Sequence, residues 1–131
     1  MNPQIRDTID TTARQSKEGA IHFGQVLQAL GHVGVEAYHA DYRAGATTYY
    51  LGNDEVHAVP LDPPAVDIAQ PFDAAALQAA IRGAQRGDVM YPQFMALSRA
   101  AGCVGYTVWL AGRHVAYFGR RGETHVERFP D

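Results

Sequence analysis

A chain of 131 residues, 47% hydrophobic and 19% charged, has the composition of one globular domain that buries about two-thirds of its unfolded surface. Its net charge of −3 argues against non-specific nucleic-acid binding, which needs an excess of Lys and Arg, and no apolar run approaches the length of a membrane span. One cysteine, Cys103, excludes an internal disulfide and fits a reducing compartment, and MNPQIRDTID lacks the apolar core of a secretory signal, so the expected location is cytoplasmic.

Asn2 followed by Pro3 predicts a helix start, since Asn accepts from free N–H groups and Pro suits the first helical position. Ile5, Ile9, Ala13 and Ser16 recur at helical spacing, and Gly19 is the expected stop. Phe23, Val26, Leu27 and Leu30 predict a second, shorter helix closed by Gly31. Gly34 opens an extended segment whose alternation puts Val35, Ala37, His39 and Asp41 on one face and Glu36, Tyr38, Ala40 and Tyr42 on the other. A turn at Arg43-Ala44-Gly45 leads into Thr47-Thr48-Tyr49-Tyr50-Leu51, which has strand chemistry.

From Gly52 to Pro71 the pattern dissolves. Pro60, Pro63, Pro64 and Pro71 predict an extended strap across the surface, because proline removes backbone donors and disfavours helix in the preceding residue. Asp73 then caps a third helix with Leu77, Ala80, Ile81 and Ala84 inward, ended by Gly87. Pro92 starts a fourth with Phe94, Met95 and Leu97 as its apolar face. A second hairpin turns at Ala111-Gly112, with Val104, Tyr106, Val108, Leu110, Val115, Tyr117 and Phe118 expected in the core.

The second half repeats the first. Arg14, Gly19, Gln25, Gly34, Tyr38, Tyr49, Glu55 and His57 match Arg82, Gly87, Gln93, Gly102, Tyr106, Tyr117, Glu123 and His125, each 68 residues on. The matches fall at turn glycines, strand tyrosines and a Glu-x-His exit, so residues 1–131 read as a single domain with internal repeats at about 3–59 and 71–127. The expected class is α+β: a duplicated helix–helix–hairpin unit giving a four-stranded antiparallel sheet with helices packed on it.

Residues 101–130, AGC-x-GY followed by GR-x-V-x-YFGR-x-GE-x-HVE-x-FP, resemble a bacterial family known as domain of unknown function 1398, sometimes labelled phage envelope protein. GVEAYHAD at 34–41 and TTYYL at 47–51 also look like that family, so the resemblance covers nearly the whole chain. It implies no activity and no catalytic residues.

Two clusters are candidates for chemistry. Glu36, Tyr38, His39, Asp41 and Tyr49 gather ionisable and aromatic groups on one hairpin, where stability alone does not call for them. His39 and Asp41 share a face, the arrangement by which a carboxylate orients an imidazole. Glu55 with His57 and Glu123 with His125 would form a metal ligand set if the repeats brought them together. More often, such residues cap strand ends. No catalytic constellation and no cofactor motif is present. The reading is a small cytoplasmic binding or interaction protein with a small-molecule ligand and a homo-oligomeric state as its partners, and neither nucleic acid nor membrane among them. A small enzyme or metal protein using the His, Asp and Glu groups above is the alternative.

Overall fold

In a computed structural model the described residues are 1–130, and capping chemistry sets the helix boundaries. Asn2 Oδ1 accepts from Gln4 N at 2.7 Å to start α1 (Pro3–Lys17), and Asp73 Oδ1 accepts from Ala76 N at 3.0 Å to start α3 (Ala74–Arg86). The two short helices, α2 (Phe23–His32) and α4 (Tyr91–Ala100), are closed at their starts by Gln25 and Gln93, whose side chains accept from the N–H of His22 and Met90.

The strands are β1 (Val35–Asp41), β2 (Ala46–Leu51), β3 (Val56–Pro60), β4 (Cys103–Trp109), β5 (His114–Gly119) and β6 (Thr124–Arg128). They form one antiparallel sheet in the order β3-β2-β1-β4-β5-β6. The expected sheet had four strands; the structure has six. The two Glu-x-His segments, read as exits, continue as edge strands β3 and β6. Both alternate half-buried and exposed residues, too weak a contrast to stand out beside Pro60 and Pro130.

Every ladder in the second half uses the numbers of the first plus 68. Tyr38 pairs with Tyr49 and Tyr106 with Tyr117; Tyr49 pairs with His57 and Tyr117 with His125. At the centre β1 and β4 are antiparallel with His39 opposite Thr107, a residue and its own counterpart. Bulges at Val35/Ala37 and Cys103/Gly105 match as well.

The first bulge corrects the expected alternation. Val35 pairs with Leu51 and is buried on the inner face, while Glu36 is exposed. From Ala37 onward the alternation holds, with Tyr38, Ala40 and Tyr42 inward and His39 and Asp41 outward. The same parity turns Phe118 outward, so it is only half-buried, beside His39 at 6.4 Å between rings, whereas Tyr117 faces the core. On α4, Leu97 is exposed and Ser98 takes the buried position.

All four helices lie against the inner face: Asp10 of α1 meets His57, Gly31 of α2 meets Leu110, Arg82 of α3 meets Glu127, and Phe94 of α4 meets Tyr106. Ile9, Leu30, Leu77 and Val108 are fully buried between the layers. The strap from Leu61 to Asp73 is pinned by arginines. Arg99 Nε donates to Val66 O at 2.7 Å, and Arg120 donates to Ile68 O at 2.9 Å and Ala69 O at 3.3 Å. These charge-assisted bonds supply the donors that a proline-rich strap lacks.

Candidate functional site

Two cross-strand rows line the inner face of the sheet. One runs His57, Tyr49, Tyr38, Val108, Val115, Glu127; the other runs Val59, Thr47, Ala40, Tyr106, Tyr117, His125. Each holds a His-Tyr-Tyr triplet, the second offset from the first by 68 and running the opposite way. The tyrosine rings lie tilted against each other at 5.3 Å (Tyr38–Tyr49) and 5.6 Å (Tyr106–Tyr117), and Tyr38 and Tyr106 meet edge to face at 6.5 Å across the central ladder.

Between these rows and the helices lies a cavity of about 1410 Å³. That exceeds the roughly 300–1,000 Å³ usual for a ligand pocket. Its walls are mostly apolar and aromatic, with Phe23, Leu27, Phe94 and Met95 of the helices among them, while Arg14, Lys17, Asp62, Arg86, Arg113 and Arg128 also line it. Tyr106 donates to the hydroxyl of Tyr91 at 2.9 Å, and burial pushes Tyr91 up to about 12. Tyr38, Tyr49 and Tyr117 are each over nine-tenths buried and line the cavity, and no buried polar side-chain atom among the described residues lacks a partner. Burial raises all three phenols well above their usual value, so they stay protonated donors.

Each triplet ends in a carboxylate, supplied differently. His57 Nε2 donates to Asp10 Oδ1 on α1 at 2.8 Å. His125 Nε2 donates to Glu127 Oε1 on its own strand at 2.9 Å, and Arg82 of α3 holds the other oxygen at 3.1 Å. Desolvation alone would raise Glu127, but the bonds from His125 and Arg82 hold it below the usual carboxylate range. Asp10 and Glu127 were missed in the sequence reading. The signal was a difference between positions 68 apart: Gln78 stands 68 residues after Asp10, and Val59 stands 68 before Glu127.

The predicted site residues scatter. Tyr38 and Tyr49 line the cavity. His39 faces the opposite side of the sheet, its Nδ1 2.8 Å from Thr107 Oγ1. Asp41 shares that side, but its carboxylate accepts from the N–H of Arg43 and Ala44 in the hairpin turn, so it does not orient His39. Glu36 is exposed at the far end of β1. Glu55 accepts from Asn53 and from the amino group of Met1, and Glu123 accepts from Arg121 N. The hydrogen bond from that amino group holds Glu55 low, and backbone N–H groups do the same for Glu123. Glu123 thus caps its turn, whereas Glu55 ties the amino terminus to the end of β2. His57 and His125 lie on opposite edge strands, so the two Glu-x-His pairs do not meet in one centre. Among the described residues no three His, Cys, Asp or Glu side chains come together as a metal site. Cys103 is buried, which pushes its thiol up to about 11.

Against known proteins, the family model described as "Protein of unknown function (DUF1398)" matches residues 11–127. Uncharacterized proteins of Mycobacterium bovis and Mycobacterium tuberculosis are each 36% identical over 58 residues, 44% of this chain. The match spans 35% of the length of those relatives. No helix among the described residues is long and apolar enough to cross a membrane.

Proposed function

The chain belongs to the DUF1398 family of proteins of unknown function, and on that premise we propose that it is a binding protein whose inter-layer cavity takes a neutral, largely apolar small molecule with hydrogen-bond acceptors. The observation that carries this reading is that Tyr38, Tyr49 and Tyr117, each over nine-tenths buried as a residue, line an aromatic cavity. Packing alone gives no reason for a hydroxyl at these positions, since Phe would fill the same space. A ligand carbonyl or hydroxyl fits the donors, while the aromatic walls fit a flat hydrophobic body.

The asymmetry between the halves supports the same view. Tyr106 has Tyr91 as its partner, whereas the residue 68 before Tyr91 is Phe23, which has no hydroxyl to offer Tyr38. In this reading the two halves are copies of one helix–helix–strand unit within one domain; the common offset of 68 in every ladder supports it. At this one position, that of Tyr106 and Tyr38, the second half has closed its polar contact and the first has kept a donor open. A cytoplasmic setting belongs to the proposal too, supported by one buried thiol and no disulfide.

The test uses Nile red, a neutral planar dye with a carbonyl acceptor. Titration should saturate at one dye per chain, and Leu27→Trp, which fills the cavity from α2, should abolish binding while circular dichroism is unchanged. Tyr38→Phe should weaken it several-fold. A folded Leu27→Trp protein that binds the dye like the parent would sink the proposal.

A further inference from the structure

The outer face of the sheet is unusual for a face turned to water. An antiparallel sheet covered on one side normally alternates apolar inward and polar outward. Here Tyr50, Val56, Trp109 and Val126, four of the five exposed large hydrophobic residues of the chain, all point outward from the strands. Each is between 40% and 56% exposed. Phe118 joins them, half-buried. By strand parity only Asp41 and Arg128 bring a formal charge to this face, and Asp41 is already occupied by its turn.

We propose that this face is the interface between two copies of the chain. Six strands about 4.8 Å apart and five to seven residues long give a footprint of roughly 500–600 Å² per copy. Closing two such faces removes about 1,000–1,200 Å², the lower bound for a specific interface. The relief suits self-packing. Tyr50, Trp109 and Phe118 stand beside small residues, Ala37, Gly105 and Ala116, so each copy presents ridges and hollows. Trp109 lies stacked on His114 at 6.2 Å, which holds the ring flat. A face this poor in charge offers nothing to a polyanion, whereas a second copy meets it with the same low charge, one Asp and one Arg of opposite sign per copy. A twofold arrangement uses one patch on both copies and closes at a dimer.

Trp109 is the sole tryptophan and so reports directly on the event. Sedimentation velocity from about 1 μM to 1 mM should show a monomer–dimer equilibrium with a micromolar dissociation constant. Trp109 emission should shift to the blue in step with the dimer fraction. The double variant Val56→Glu/Val126→Glu, at exposed edge-strand positions, should remain monomeric across the range with unchanged circular dichroism. A parent chain that stays monomeric throughout overturns the proposal, and so does a variant that dimerises as the parent does. If the variant does not fold, Trp109→Ser in its place must weaken the dimer at least ten-fold for the proposal to stand. This interface is independent of the cavity: Nile red binding by the monomeric variant neither supports nor weakens it.

Discussion

Gly34 and Gly102 occupy corresponding positions 68 residues apart, just before β1 and β4, and both are left-handed, with φ of 89° and 85°. Alanine at either site pays the same backbone penalty, about 1–2 kcal/mol. Their surroundings differ. A Cβ on Gly34 would meet nothing nearer than Leu51 Cδ2 at 3.9 Å, whereas one on Gly102 would run into the carbonyl of Pro71 and reach within 3.0 Å of Phe72 Cα. The strap cannot retreat freely, because Asp73 N donates to Ala101 O at 2.8 Å and Arg99 and Arg120 hold the carbonyls of Val66, Ile68 and Ala69. Overpacking costs about 1–3 kcal/mol, and each disturbed hydrogen bond about 0.5–1.5 more. Gly102→Ala should therefore cost about 2–4 kcal/mol more than Gly34→Ala. Urea unfolding followed by circular dichroism, with m unchanged between the variants, measures the difference. Equal costs within about 0.5 kcal/mol would show that the strap is not clamped at Gly102 and would refute this account of the connector.

Two other substitutions isolate polar contacts. Tyr42 and Ser98 share a buried hydrogen bond of 2.7 Å, so Ser98→Ala should cost about 1–3 kcal/mol, while the pair Ser98→Ala/Tyr42→Phe should recover part of that in a double-mutant cycle. Additive costs would mean the bond contributes nothing. Glu127 is held below its unfolded pKa, so its contribution is present above about pH 4.3 and is lost as pH falls through the folded value. Glu127→Gln should be less stable than the parent at neutral pH, with a gap that closes on acidification. Glu55 and Glu123 titrate in both proteins and cancel in the comparison, so a gap constant from pH 7 to about 3 would exclude the proposed role of Glu127.

The helices were legible because their signals are local. Asn2 and Asp73 accept from the backbone within the first turn, and the glycines that stop helices need only their own φ. The third strand of each half was not, since Val56–Pro60 and Thr124–Arg128 pair on one side only and half of each is wet. An edge strand has no strong burial pattern to read. The His39–Asp41 pairing failed for a different reason. Sharing a face is necessary for a dyad, but Asp41 had two closer donors in the turn at Arg43 and Ala44, and His39 had Thr107 across the central ladder. That ladder joins residues far apart in sequence, and no local pattern reveals it. Tyr38 and Tyr49 stood out in the sequence as aromatic groups of one hairpin. Their partnership with Tyr106 and Tyr117 depends on the sheet joining both hairpins edge to edge, and the cavity depends on how the helices sit above it.

The central ladder has a consequence for how the molecule could be taken apart. His39 faces Thr107, Tyr38 faces Val108 and Ala40 faces Tyr106, so the seam between the halves presents the same strand edge from each side. Only the strap links them covalently. A chain opened near Pro64 would yield two fragments, each with two helices and three strands and each ending its sheet at that shared edge. Mixed together, the fragments should reconstitute the six-stranded sheet. Each alone, lacking its complement, should pair its exposed β1 or β4 with another copy of itself, less well where His39 would face His39.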